Sequence, residues 1–547
     1  MLTIPFALAA ESATDYQPLR DLHSTYRDEI ALDPRKVDDD MIAAIIAAAA
    51  NVGDTRTGRA FAAIATARSG DISGKVPNLT AFPVMLNEYL RANFIDGWVY
   101  RRNGAGHLTP ALVTSIAFMP ASQSDTRDSV SVTLTQQGST GGRDSKALRL
   151  LSEQVTFYGA DVSRRQISRI LEAKGLLVET PALRAEYDAS AAEYDKILAR
   201  GFAHQYRYSG TPLKGDGWRT PTARTTKVMH DLHPAEIAAL HTEVPTPVVR
   251  PEKGDMPTGK AARGMLDGGG YGAVPANFML DVFDLASHEN IWVDARDLVR
   301  YQYDASLREK IVLPADQRNL LDILTTNLSD FTSDVVEGKT IGNVILCKGS
   351  PGVGKTLTAE VYAELIERPL YSIHSGTLGV DAESVRKRLE SVFKRAKRWN
   401  AVLLLDEADV FVLERGNDLQ QNAIVAEFLR TLEYFDGLMF MTTNRGENID
   451  DAILSRAAAI IDYRLPDSAG IREVWKVQAR NQSTTLPDDL LDALVDGFAR
   501  ISPRDVKMLL RLALRVSAGN NTPLDVSTFQ RCAMFRGLHF APGSRTA

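Results

Sequence analysis

The strongest constraint on this 547-residue chain lies between Asn343 and Glu367. A short apolar run, NVILCK, leads into Gly349-Ser350-Pro351-Gly352-Val353-Gly354-Lys355-Thr356, and the helical pattern TLTAEVYAELIE follows. Strand, GxxxxGK[ST] loop and helix in that order form a phosphate cradle. The glycines let successive N–H groups turn toward one anion, and the helix N-terminus adds partial positive charge. Lys355 is spaced to reach the β and γ phosphates and Thr356 to hold Mg2+, so ATP with Mg2+ is the expected ligand of Gly349 through Leu357.

The rest of a hydrolytic site follows in order. Ala401 to Asp409 reads AVLLLDEAD, an apolar strand ending in two carboxylates. Such a strand suits the centre of a parallel sheet covered on both faces. Asp406 at its carboxyl end is expected to organise Mg2+ and Glu407 to polarise the attacking water. Gly437 to Asn444, GLMFMTTN, is a second buried strand, and Asn444 is expected beside the γ phosphate. DDAILSR ends in Arg456, followed by a strand over 459–463, and SPRD opens the helical run VKMLLRLALRV with Arg504 in its first turn. Arg456 is expected to reach a neighbour's nucleotide and Arg504 to fold back onto its own.

Elsewhere the reading is coarser. Asp39 to Ala67 and Val84 to Asn93 have helical periodicity, and DSVSVTLTQ at 128–136 alternates as a strand does. Ser163 to Thr180 reads as an amphipathic helix closing at Gly175. From Tyr206 to Tyr271 the chain is rich in Gly, Pro, Thr and His, which reads as a linker, and GKAARG at 259–264 lacks the strand a phosphate loop requires. The net charge of −6 gives no global reason to bind nucleic acid or an anionic membrane. Cys347 and Cys532 form neither a disulfide framework nor a zinc spacing, and no cation precedes Arg20 as a secretory signal requires. No segment reaches the length of a membrane span, the longest apolar run being Met41 to Ala50. A cytoplasmic protein is expected.

GSPGVGKT, LLLDEAD, TTNR, DDAILSR and SPRD in this order resemble the AAA+ ATPases, and among them the AAA clade proper, over about Ile311 to Val516. FLRTLEYFDG at 428–437 is also similar to a poorly characterised group of bacterial and fungal AAA proteins. The resemblance implies an α/β fold: a five-stranded parallel αβα core with a C-terminal helical lid, assembled as a hexameric ring with ATP between protomers. It makes Gly349 to Thr356 the Walker A loop, Asp406 and Glu407 Walker B, Asn444 sensor 1, Arg456 the arginine finger and Arg504 sensor 2. Two positions depart from the family pattern. A second arginine usual three residues after the finger is Ala459 here, and the pore-loop position carries Leu378-Gly379-Val380 with no aromatic.

The expected organisation is an α+β recognition or adaptor region over 1–205, a Gly/Pro-rich linker over 206–275, a short β-rich connector over 276–310, the core over 311–465, and a lid and tail over 466–547. The expected function is ATP hydrolysis coupled to remodelling of a protein partner. The alternatives are a nucleotide-gated switch or scaffold with slow turnover, and a ring acting on nucleic acid. Asp406-Glu407-Ala408-Asp409 also spells a helicase box, yet the residues remaining after it are too few for a second helicase domain.

Overall fold

The computed structural model describes the chain apart from residues 1, 13–28, 33–36, 94–97, 120, 122–126, 139–148, 201–202, 213–222, 232–274, 276–277, 327–342, 380, 415–418, 499 and 542–547. Val249, GKAARG, LDGGGYG and Val380 lie outside the described residues. Two compact units result, Met1–Val299 and Arg300–Ala547. Among the described residues no helix is long and apolar enough to cross a membrane.

In the first unit, β1 (Leu2–Pro5) pairs antiparallel with β2 (Glu29–Leu32). The helical stretch expected over Asp39 to Ala67 is two helices, Asp39–Val52 and Thr55–Arg68. Asp54 divides them, because its carboxylate accepts from Arg56 N at 3.1 Å and Thr57 N at 3.0 Å and so starts a new helix. An antiparallel sheet follows in the order β6-β5-β4-β3-β7, with β3 at Trp98–Arg102, β4 at Leu108–Met119, β5 at Ser129–Gly138, β6 at Arg149–Tyr158 and β7 at Leu177–Val178. The Ser163 to Thr180 stretch contributes a shorter helix than expected, Ile167–Ala173.

The linker and connector boundaries are corrected. β8 (His204–Gly210), β9 (Arg224–His230), β10 (Met279–Asp284), β11 (Glu289–Asp294) and β12 (Leu298–Arg300) form one sheet, ordered β11-β10-β9-β8-β12. Residues 206–210 and 224–230 are therefore strand, and 279–300 completes their sheet. Tyr206, Tyr208, Val228 and Met229 are buried, and Asp284, fully buried, accepts from Thr226 Oγ1 at 2.7 Å and pairs with Arg224 at 2.8 Å. These cross-strand contacts outweigh the turn-forming composition around them. One hydrophobic cluster, from Ile4 to Ala295, runs through the whole unit.

The second unit holds a parallel sheet, ordered β14-β15-β16-β13-β17, with β13 at Asn343–Gly349, β14 at Leu370–His374, β15 at Val402–Asp406, β16 at Leu438–Thr443 and β17 at Ala459–Tyr463. All six residues of β16 are buried, as a strand between two parallel neighbours requires. Its register sets the site. Lys348 pairs with Thr443, Leu405 with Met441, His374 with Asp406 and Gly349 with Tyr463, so the carboxyl ends of all five strands finish together. Helices Ser468–Asn481, Asp488–Gly497, Pro503–Asn520 and Val526–Met534 build a lid with its own core around Trp475, Leu494, Leu509 and Phe529.

Candidate nucleotide site

The loop after β13 is shaped by two glycines. Gly349 has φ +142°, and a Cβ there would strike the Tyr463 carbonyl oxygen. Gly352 has φ +82°, and a Cβ would come within 2.8 Å of Arg504 Cβ. Both positions need a backbone that other residues rarely adopt and a space that a methyl would fill. Gly352 also accepts a hydrogen bond from Arg504 N at 3.1 Å, which ties the lid to the loop.

Lys355 begins the helix Lys355–Leu365 and is 6% exposed. Its Nζ donates to the carbonyls of Gly349 at 2.7 Å and Ser350 at 2.8 Å and to Asn444 Oδ1 at 3.0 Å, so three acceptors satisfy the three donors of the ammonium. Burial lowers the Lys355 pKa, while the charges of Asp409 and Asp406 pull it upward.

Because β16 separates β13 from β15, the acidic strand end is bridged to the loop by side chains. Thr356 Oγ1 donates to Asp406 Oδ1 at 2.9 Å, and the buried Thr442 Oγ1 donates to the same oxygen at 2.5 Å. Thr442 Oγ1 in turn accepts from Glu407 N at 3.0 Å. Glu407 has φ +54°, a conformation L residues avoid, and Ser375 Oγ donates to its carbonyl at 2.6 Å. The backbone is thus strained at the second carboxylate and fastened on both sides of it. Asp409 accepts from Asn444 N at 2.9 Å and from Thr443 Oγ1, setting the end of β16.

The structure therefore holds Lys355 against Asn444 and, one residue on, Thr356 against Asp406, with the Glu407 N–H joined to the second pair through Thr442. Thr442, Ser375 and Asp409 were not among the expected residues, although Thr442 stands in the motif TTNR and Asp409 in DEAD. A cleft beside the loop is walled by Ile311, Leu313, Val353, Leu357, Val474 and Val477, apolar surface suited to a flat ring. It was missed because four separated segments compose it. The Arg504 side chain is exposed. Arg456 Nη1 donates to Ala452 O at 3.0 Å and Nη2 is ion-paired with Glu433 of the same chain.

Among the described residues no group of three or more His, Cys, Asp or Glu side chains is arranged to hold a metal ion. Thr356 and Asp406 nevertheless form the hydroxyl and carboxylate pair that suits Mg2+, a cation that takes few protein oxygens and completes its shell with phosphate and water.

Sheet order, loop and lid place the second unit among the P-loop nucleoside triphosphatases of AAA+ type. Residues 345–465 match the family described as ATPase family associated with various cellular activities (AAA), and this chain carries an AAA-type ATPase domain. It is similar to an ATP-dependent zinc metalloprotease FtsH of Ureaplasma parvum, 32% identical over 29% of this chain and 23% of that protein. It is also similar to a putative 26S proteasome regulatory subunit homolog of Methanothermobacter thermautotrophicus, 31% identical over 31% of this chain and 48% of the relative. An uncharacterized AAA family ATPase of Sinorhizobium fredii is 26% identical over 30% of this chain and 51% of its own length. The chain thus spans from about a quarter to about half of these relatives.

Proposed function

We propose that this chain hydrolyses Mg-ATP at the Gly349–Leu357 loop, as a ring of copies, to remodel a protein partner. The observation that carries the hydrolytic part is the relay Thr356, Asp406, Thr442, Glu407 N, which joins the hydroxyl and carboxylate pair suited to Mg2+ to the strained backbone that presents the second carboxylate. In this reading the loop amides and Lys355 hold the phosphates, and the apolar cleft takes the base. Thr356 and Asp406 hold Mg2+, whose charge offsets that of the phosphate oxygens. Glu407 draws a proton from the attacking water, Asn444 orients that water, and Lys355 meets the charge that develops on the transferring group. Arg456 of one copy reaches the nucleotide of the next, and Arg504 carries the lid's response.

Protein as the substrate class is supported by the metalloprotease and proteasome-regulatory names among the relatives. The first unit, with its own core, is assigned to partner recognition. Buried Cys347 and Cys532, neither in a disulfide, suit a reducing cytoplasm. A slow nucleotide-gated switch is the second reading, favoured by Ala459 three residues after Arg456, where no second arginine stands.

The test measures steady-state ATP turnover, nucleotide binding and light-scattering mass. Lys355→Ala is expected to abolish binding, and Glu407→Gln to bind ATP, stop turnover and form a hexamer in Mg-ATP. Near-normal hydrolysis by Glu407→Gln overturns the site, and a mass indifferent to ATP turns the choice to the switch.

A further inference from the structure

We infer that Glu433 is a positioning residue for Arg456, holding its guanidinium in the one orientation from which it serves an adjoining copy. The inference rests on the trans-acting role proposed above for Arg456. The backbone around that arginine is already fixed. Arg456 N donates to Ile453 O at 3.1 Å, and Ala458 N donates to Val344 O at 2.8 Å, pinning the segment to β13. The side chain is another matter, since arginine carries about 2 kcal/mol of rotamer entropy. Left to itself it would sample many positions, and Ala459 supplies no second guanidinium to compensate.

Two contacts remove that freedom. Ala452 O takes Nη1 at 3.0 Å and the Glu433 carboxylate takes Nη2. Both side chains of the ion pair are 32% exposed, so it is partly withdrawn from water and holds its geometry better than a pair on the open surface. The guanidinium has five N–H donors; with Nε buried and one donor of each Nη anchored, the second N–H of Nη1 and of Nη2 is left for a phosphate.

Glu433 is itself held in place. It directly follows the helix Leu419–Leu432, to which it is joined by its N–H on Leu429 O at 3.3 Å, and it precedes β16, whose far end leads into Asn444. The residue that pairs with Arg456 thus stands five residues before the strand that ends beside Lys355.

The experiment is a double-mutant cycle in the full-length chain, reading kcat and KM for ATP, with the melting temperature as a check on folding. Glu433→Ala is expected to lower kcat on the order of tenfold with KM changed less than about twofold, a loss confined to the reacting complex. In the Arg456→Ala background the same change is expected to cost nothing further, and Glu433→Gln, which keeps an acceptor oxygen, should fall between wild type and Glu433→Ala. Unchanged or faster turnover in Glu433→Ala, or an equal fall in both backgrounds, overturns the positioning role while leaving Arg456 in its own. Full turnover by Arg456→Ala removes the underlying reading and the positioning role together.

Discussion

Thr442→Val is the most incisive single change, because the two side chains match in shape and differ only in the hydroxyl. That hydroxyl donates to Asp406 at 2.5 Å and accepts from Glu407 N at 3.0 Å, in a residue 2% exposed. Loss of a hydrogen bond to a charged acceptor costs about 1.5–3 kcal/mol, and a stranded N–H costs about 1–3 kcal/mol where water cannot replace the partner. Some relaxation is available at the strand end, so a net destabilisation of about 3 kcal/mol is expected. In a unit of this size that corresponds to a fall of about 6–12 °C in melting temperature. The catalytic effect should be larger in kind. Glu407, at φ +54°, is fastened by Thr442 on one side and Ser375 on the other, and loss of one fastening lets the peptide relax toward ordinary backbone. Turnover is expected to fall about a hundredfold, since misplacement by an ångström costs that much. Nucleotide affinity, assigned above to the loop and Lys355, should change little. The assay is steady-state phosphate release beside titration with a fluorescent ATP analogue, with Thr442→Ser as the variant that retains the hydroxyl. Turnover within twofold of wild type in Thr442→Val refutes the relay.

Three further outcomes are expected. Gly352→Ala should weaken nucleotide binding about tenfold, because a left-handed backbone costs an L residue roughly 1–2 kcal/mol and the new methyl meets Arg504 Cβ; unchanged affinity in a fluorescence titration counts against the loop and lid contact. Trp475→Ala should destabilise the lid by about 3–5 kcal/mol, since the ring is fully buried against Phe529 at 5.5 Å between centroids, and scanning calorimetry should register an earlier transition. Burial opposes the charged form of Asp294, but the Arg296 hydrogen bond and charge prevail and hold its carboxyl below the usual carboxylate range. A depressed pKa stabilises the fold above the unfolded value and ceases to do so as pH falls through the folded one. The stability gap between wild type and Asp294→Asn, followed by urea unfolding, should therefore be full at neutral pH and narrow progressively as pH falls below about 4; a gap that stays constant from neutral pH into strong acid refutes it.

The phosphate loop was legible because its chemistry is local. Gly349, Gly352 and Lys355 announce a backbone shape within eight residues, and the strand before them and the helix after them are read from the same window. Asp406 was legible for a related reason, an apolar strand interrupted by charge. Thr442 was not, because its partners depend on β16 lying between β13 and β15, a fact of sheet order that strand sequences do not carry. The pairing of Arg456 with Glu433 has the same origin, two segments 23 residues apart in sequence with β16 between them. In the first unit, composition misled. The Gly, Pro and Thr content around Tyr206 to Gly210 and Arg224 to His230 reads as linker, while the burial of Tyr206, Tyr208 and Val228 that makes them strands depends on β10 and β11, over 50 residues further on.

The bond from Arg504 N to Gly352 O has a consequence for how the family can vary. A main-chain amide is the same in every residue except proline, so mutation can replace the arginine generation after generation without unhooking the helix from the loop. A chain that loses the guanidinium at this position therefore keeps the hydrogen bond between lid and loop. Among single-residue replacements at 504, proline alone would take away the donor, and it would do so with the cationic side chain removed as well, so that the backbone link and the side-chain charge are separable by ordinary missense drift in one direction only.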